Sequence, residues 1–84
     1  MNIELLIDGK LVKGEGPEEA ILDPATGKQI AKVAEASAAQ VDAAALAAAR
    51  AFETWGTTTP AERALLLLKV AERIERDGAE FAAL

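Results

Sequence analysis

Ser37-Ala38-Ala39-Gln40-Val41 divides this chain into a β half and a helical half. A Ser with Gln three residues later is a capping box: the hydroxyl accepts from the Gln40 backbone N–H, and the Gln side chain reaches back to the Ser37 N–H. Val41, Ala44, Ala45, Ala48, Phe52 and Trp55 then fall at helical spacing, which predicts a helix over 37–55. Gly56 and the run Thr57-Thr58-Thr59 close it. Thr59-Pro60-Ala61-Glu62 repeats the start signal, with Pro at the first helical position, where its missing N–H is least costly. A second helix is predicted over 60–77, with Gly78 as its C-cap or a break, and 79–84 as the start of a helical continuation.

Upstream of Ser37 the pattern changes period. Ile3-Glu4-Leu5-Leu6-Ile7 and Lys10-Leu11-Val12-Lys13 flank Asp8-Gly9, a favoured two-residue hairpin turn. Gly14-Glu15-Gly16-Pro17 breaks the alternation and predicts a loop. Ala20-Ile21-Leu22-Asp23 reads as a short strand ending at Pro24. Pro24-Ala25-Thr26-Gly27 is a turn, Pro presetting φ and Gly free to take φ > 0. Residues 28–34 alternate well enough for one more strand. The expected class is α/β, in the sense of an α+β fragment: short strands over 1–35, then two helices.

Composition weighs against a self-sufficient core. Of the 84 residues 51% are hydrophobic, but alanine dominates between Ala31 and Ala51. Alanine removes little area from water, and a chain this short is already marginal on surface-to-volume grounds. No Cys or His is present, so disulfides, thiolate or imidazole metal sites and Cys- or His-based triads are excluded. Net charge is −5 with scattered Lys and Arg, so no nucleic-acid footprint is expected. Met1-Asn2-Ile3-Glu4 is not the start of a signal peptide, and no apolar run approaches membrane-spanning length. A cytoplasmic chain without a membrane partner is the expectation. Leu65, Leu66, Leu67 and Leu68 point around most of a helix circumference, the mark of a helix buried in something larger. The competing reading is a freestanding interaction module that uses this Leu-rich helix as a partner surface.

No catalytic constellation emerges from the residues. Gly14-Glu15-Gly16 lacks the third glycine of a dinucleotide fingerprint and precedes no predicted helix. The 23–27 turn likewise offers no helix N-terminus for a phosphate. Ser37 is the lone serine; without a base it is a cap rather than a nucleophile. Ala36-Ser37-Ala38 also departs from the Asp-Ser-Leu-type attachment site of an acyl carrier protein. Glu72 and Arg76 form an i,i+4 pair on a solvated face, and Trp55 is an anchor at a helix end.

Taken in order, Leu5-Leu6-Ile7-Asp8-Gly9-Lys10-Leu11-Val12, Asp23-Pro24-Ala25-Thr26-Gly27, Ala36-Ser37-Ala38-Ala39-Gln40-Val41, Ala51-Phe52-Glu53-Thr54-Trp55 and Pro60-Ala61-Glu62-Arg63-Ala64 resemble the opening segment of NAD(P)-dependent aldehyde dehydrogenases. Within that family, Gly14-Glu15-Gly16, the stretch 34–38 and Trp55-Gly56-Thr57-Thr58-Thr59-Pro60 resemble bacterial γ-aminobutyraldehyde dehydrogenases. Asp23 stands where the family usually has Asn, and it keeps an Asx-type acceptor.

The resemblance implies that 1–84 is an N-terminal fragment of a Rossmann-like cofactor domain, with 1–35 as peripheral strands. It implies a several-fold longer parent that oxidises an aldehyde to a carboxylate with NAD or NADP, as a dimer or tetramer. That parent's nucleophilic Cys, general-base Glu, oxyanion Asn and cofactor-binding segments would lie beyond Leu84. No catalytic, cofactor-binding or metal residue is therefore assigned here, and the remainder of the parent is the expected partner. Some members hold a monovalent cation partly through a backbone carbonyl that aligns with Ile21 or Leu22.

Overall fold

A computed structural model describes residues 2–84; Met1, the first residue of the expected β region, lies outside them. The described residues form two compact units, 2–51 and 52–84. Among the described residues the fold is mixed α/β, with four strands followed by three helices.

In the first unit, β1 (Leu5–Ile7) pairs antiparallel with β2 (Lys10–Val12), Leu5 opposite Val12 and Ile7 opposite Lys10. Asp8 and Gly9 between them have φ of 51° and 71°. Positive φ at both central residues is the type I′ turn, whose twist matches that of the strands it joins. β3 (Glu18–Leu22) pairs antiparallel with β4 (Gln29–Ala34) in a separate two-stranded sheet. β3 begins two residues before the expected Ala20, because Glu18 and Glu19 pair with Ala34 and Val33. Two further backbone bonds prolong that ladder, Gly16 N–H to Glu35 O at 2.8 Å and Glu35 N–H to Pro17 O at 2.9 Å. The register slips at Ile21/Leu22, which face Ala31 and Gln29 and leave Ile30 as the extra residue of a bulge.

The helix α1 spans Ala38–Trp55. In the second unit α2 spans Pro60–Arg76, its capping box complete at Thr59 and Glu62. A third helix, α3 (Gly78–Ala83), follows at once. Here the structure corrects the sequence expectation. Gly78 neither caps nor breaks the helix: it opens α3, and it is absent from the positive-φ glycines. The interruption falls on Asp77, at φ −96° and ψ 17°. Arg73 and Arg76 hold the Asp77 carboxylate at 2.6 and 3.2 Å, which fixes the kink one residue earlier.

Among the described residues the buried apolar side chains are only Ala34 and Ala47. Leu65, Leu66, Leu67 and Leu68 are 62, 45, 70 and 60% exposed. The leucine run lies within α2, and its side chains are exposed.

Candidate functional site

The capping box at the head of α1 grows into a larger junction. Gln40 N–H donates to Ser37 Oγ at 3.1 Å, and Ser37 N–H donates to Gln40 Oε1 at 3.0 Å. The same Oε1 accepts from the Glu15 N–H at 2.9 Å, while Gln40 Nε2 donates to the Lys13 carbonyl at 2.9 Å. Ser37 Oγ donates to Glu15 Oε2 at 3.3 Å. One half-buried amide thus satisfies a helix terminus and the backbone of the 13–15 loop together. The Ser37 hydroxyl is spent on these two bonds, donating to the Glu15 carboxylate and accepting from the Gln40 N–H.

Gly14 and Gly16 serve close approach. A Cβ at Gly14 would overlap the backbone oxygens of Ala34 and Glu35, and one at Gly16 would lie 2.9 Å from Glu35 O. These residues do not fit a dinucleotide pyrophosphate. The N–H groups of Glu15 and Gly16 already donate to Gln40 and Glu35, and a strand follows the loop.

The 23–27 turn is built on Asp23. Its Oδ1 accepts from the Ala25 N–H and its Oδ2 from the Thr26 hydroxyl, both at 2.9 Å. Its backbone O accepts from the Gly27 N–H at 2.7 Å, with Gly27 at φ 72°. The Ala25 amide, then the Thr26 hydroxyl, lower the Asp23 pKa below the ordinary carboxylate value. This is the Asx-type acceptor role expected of Asp23.

In the second unit, Arg63 is the organising residue. Its Nε donates to Thr58 Oγ1 at 2.8 Å and its Nη2 to the Trp55 carbonyl at 3.1 Å. Its guanidinium carbon stands 5.2 Å from the Trp55 ring centroid. The Trp55 carbonyl also accepts from the Thr58 hydroxyl at 2.7 Å. Trp55 is accordingly a helix-end anchor with a cation over its face. At the far end the ion pairs are Arg73–Asp77 and Arg76–Asp77 rather than the expected Glu72–Arg76. Arg73, then Arg76, hold the Asp77 carboxyl below its ordinary pKa.

Among the described residues, no group of three or more His, Cys, Asp or Glu is placed to hold a metal ion. No described helix is long and apolar enough to cross a membrane. Every polar cluster described above is spent on capping, turns or chain approach.

Residues 11–84 match the aldehyde dehydrogenase family. An aldehyde dehydrogenase of Aspergillus niger is 42% identical over 82 residues, covering 95% of this chain and 16% of that protein. A mitochondrial aldehyde dehydrogenase of Leishmania tarentolae is 43% identical over 82 residues, covering 96% of this chain and 16% of its own length. A crystal structure of an NAD-dependent benzaldehyde dehydrogenase from Corynebacterium glutamicum superposes with a TM-score of 0.82 at 34% identity. That likeness covers 93% of this chain and 17% of the crystallised one.

The chain belongs to the aldehyde dehydrogenase family. It spans about a sixth of the length of these relatives, as their 16 and 17% coverage states.

Proposed function

We propose that this chain is the N-terminal structural segment of an NAD(P)-dependent aldehyde dehydrogenase, and that it has no catalytic, cofactor-binding or metal-ligating residue of its own. The carrying observation is the family match over 11–84 in a chain that spans a sixth of its relatives. The chemistry of its residues supports the second half: it has no thiol and no imidazole, and its glycine pair is committed to backbone approach. In this reading the cofactor belongs to the parent enzyme, where it would take hydride from the aldehyde carbon on the way to the carboxylate. The segment's role is to brace the cofactor domain, its strands lying at the periphery.

The aldehyde in this proposal is 4-aminobutyraldehyde, supported by the resemblance of the 14–16, 34–38 and 55–60 stretches. The parent is proposed to be a cytoplasmic homo-oligomer, dimer or tetramer, with neither nucleic acid nor membrane as partner. Two assays test the core of the reading. The isolated chain is expected to show neither NAD⁺-dependent oxidation of 4-aminobutyraldehyde nor a change in NADH fluorescence on mixing; turnover or binding would overturn it.

A further inference from the structure

Asp followed by Gly occurs twice in this chain, at Asp8-Gly9 and at Asp77-Gly78. The pair is open to an intrinsic reaction, because glycine has no Cβ to shield its amide nitrogen from the preceding carboxyl. That nitrogen attacks Cγ of the neutral carboxyl group. A C–N bond forms, a C–O bond breaks, and water leaves with the carboxyl hydroxyl and the amide hydrogen. Water then opens the five-membered imide at either carbonyl. Attack at Cγ returns Asp; attack at the main-chain carbonyl gives isoaspartate, whose backbone runs through the side-chain methylene. No oxidant or cofactor enters, and the net mass is unchanged.

The structure separates the two sites. Asp8 and Gly9 are both exposed at the hairpin tip, and a Cβ at Gly9 would meet no atom within 4 Å. The Asp8 carboxylate has its ion pair with Arg50 at 3.9 Å, with side chains 68 and 66% exposed, too loose a contact to hold it. Among the described residues the Gly9 N–H makes no hydrogen bond. Asp8 has φ 51°. Type I′ and II′ turns share positive φ at this position and differ by a flip of the central peptide. The imide ring closes in the II′ arrangement, so Asp8 reaches it by rotating one peptide, and Gly9 tolerates either conformation.

At Asp77 the same dipeptide is tied down. Arg73 Nε and Arg76 Nε donate to its two carboxylate oxygens at 2.6 and 3.2 Å. Its N–H donates to the Arg73 carbonyl at 3.0 Å, and its own carbonyl accepts from the Phe81 N–H at 3.1 Å. Ring closure here would turn the Asp77–Gly78 peptide, release both guanidinium contacts and break that bond within α3.

We propose that Asp8-Gly9 is a self-isomerising site, converting to isoaspartate in the folded chain, and that Asp77-Gly78 is protected. The product changes the fold locally. One added methylene lengthens the two-residue turn that sets Leu5 opposite Val12, so the pairing of β1 with β2 is lost.

The test is prolonged incubation of the 84-residue chain in heavy-oxygen water at physiological temperature and pH. Each passage through the imide leaves a heavy oxygen at that residue, and electron-transfer fragmentation locates both the label and the isoaspartyl linkage. Asp8 is expected to convert faster than Asp77 by about tenfold, since two charge-assisted hydrogen bonds must open first at Asp77. In strong denaturant the two rates should converge. Gly9→Ala should slow conversion at position 8 by about fivefold or more, through the Cβ it adds beside the attacking nitrogen. Arg73→Gln combined with Arg76→Gln should raise conversion at Asp77 toward that at Asp8. Equal rates at the two sites in native buffer, or conversion of Asp8 in denaturant alone, would overturn the proposal.

Discussion

Gln40 Nε2 donates to the carbonyl oxygen of Lys13 at 2.9 Å, across 27 positions of sequence, while its Oε1 accepts from Ser37 and Glu15. A single amide therefore closes the helix cap and pins the loop that leaves the hairpin. Gln40→Ala is expected to weaken both, at about 1–2 kcal/mol for a cap with its attached hydrogen bonds. Residue-resolved carbon shifts should show reduced helicity over 38–41 and lost order at 13–16. Gln40→Glu keeps an acceptor for the Ser37 and Glu15 amides but loses the donor to Lys13, so it should retain helicity while loosening the loop. Unchanged shifts at Glu15 in both variants would refute the pin.

The glycines divide by mechanism. Gly14 has no room for a Cβ beside the carbonyls of Ala34 and Glu35, whereas Gly9 has open space and only its positive φ to protect. Gly9→Ala should cost about 1 kcal/mol through left-handed strain. Gly14→Ala should do more, since backbone rather than a flexible side chain must shift. The cross-strand amide contacts of Glu18 with Ala34 report the difference, and equal loss in the two variants would contradict it.

Much of this architecture was legible from local chemistry. Asp8-Gly9 announces its turn because few residues tolerate positive φ, and both capping boxes are spelled out within four residues. The long-range half was not legible. Nothing near Gln40 signals Lys13, and Gly14-Glu15-Gly16 looks like an ordinary loop until the strand it crowds is in place. Gly78 misled because glycine after a helical run usually takes the left-handed cap. Here Arg73 at i−4 and Arg76 at i−1 place the kink on Asp77 instead.

Acid should release that kink. Arg73 and then Arg76 lower the folded-state pKa of Asp77, so its contribution is fully present above the unfolded carboxylate value, about 3.9. It is lost as pH falls through the lowered folded value. A carboxyl-carbon titration should place Asp77 below an unperturbed Asp, and Asp77→Asn should abolish the pH dependence of order at 76–79. A midpoint at or above the ordinary value would contradict this.

Arg63→Lys tests the second unit. Lysine keeps the charge but cannot span Thr58 Oγ1 and the Trp55 carbonyl with one rigid fork. The expected loss is about 0.5–1 kcal/mol, with a shift in Trp55 fluorescence emission as the cation leaves its face. An unchanged spectrum would mean that the stacked geometry is not held in solution.

The central claim is that these residues are a structural segment whose apolar faces need further polypeptide. Thermal unfolding of the isolated 84-residue chain, followed by circular dichroism with an amide correlation spectrum at low temperature, tests it most directly. With Ala34 and Ala47 as the only buried apolar residues among those described, a broad, non-cooperative melt and poor amide dispersion are predicted. A sharp two-state transition in a monomer with a well-dispersed spectrum would contradict the claim.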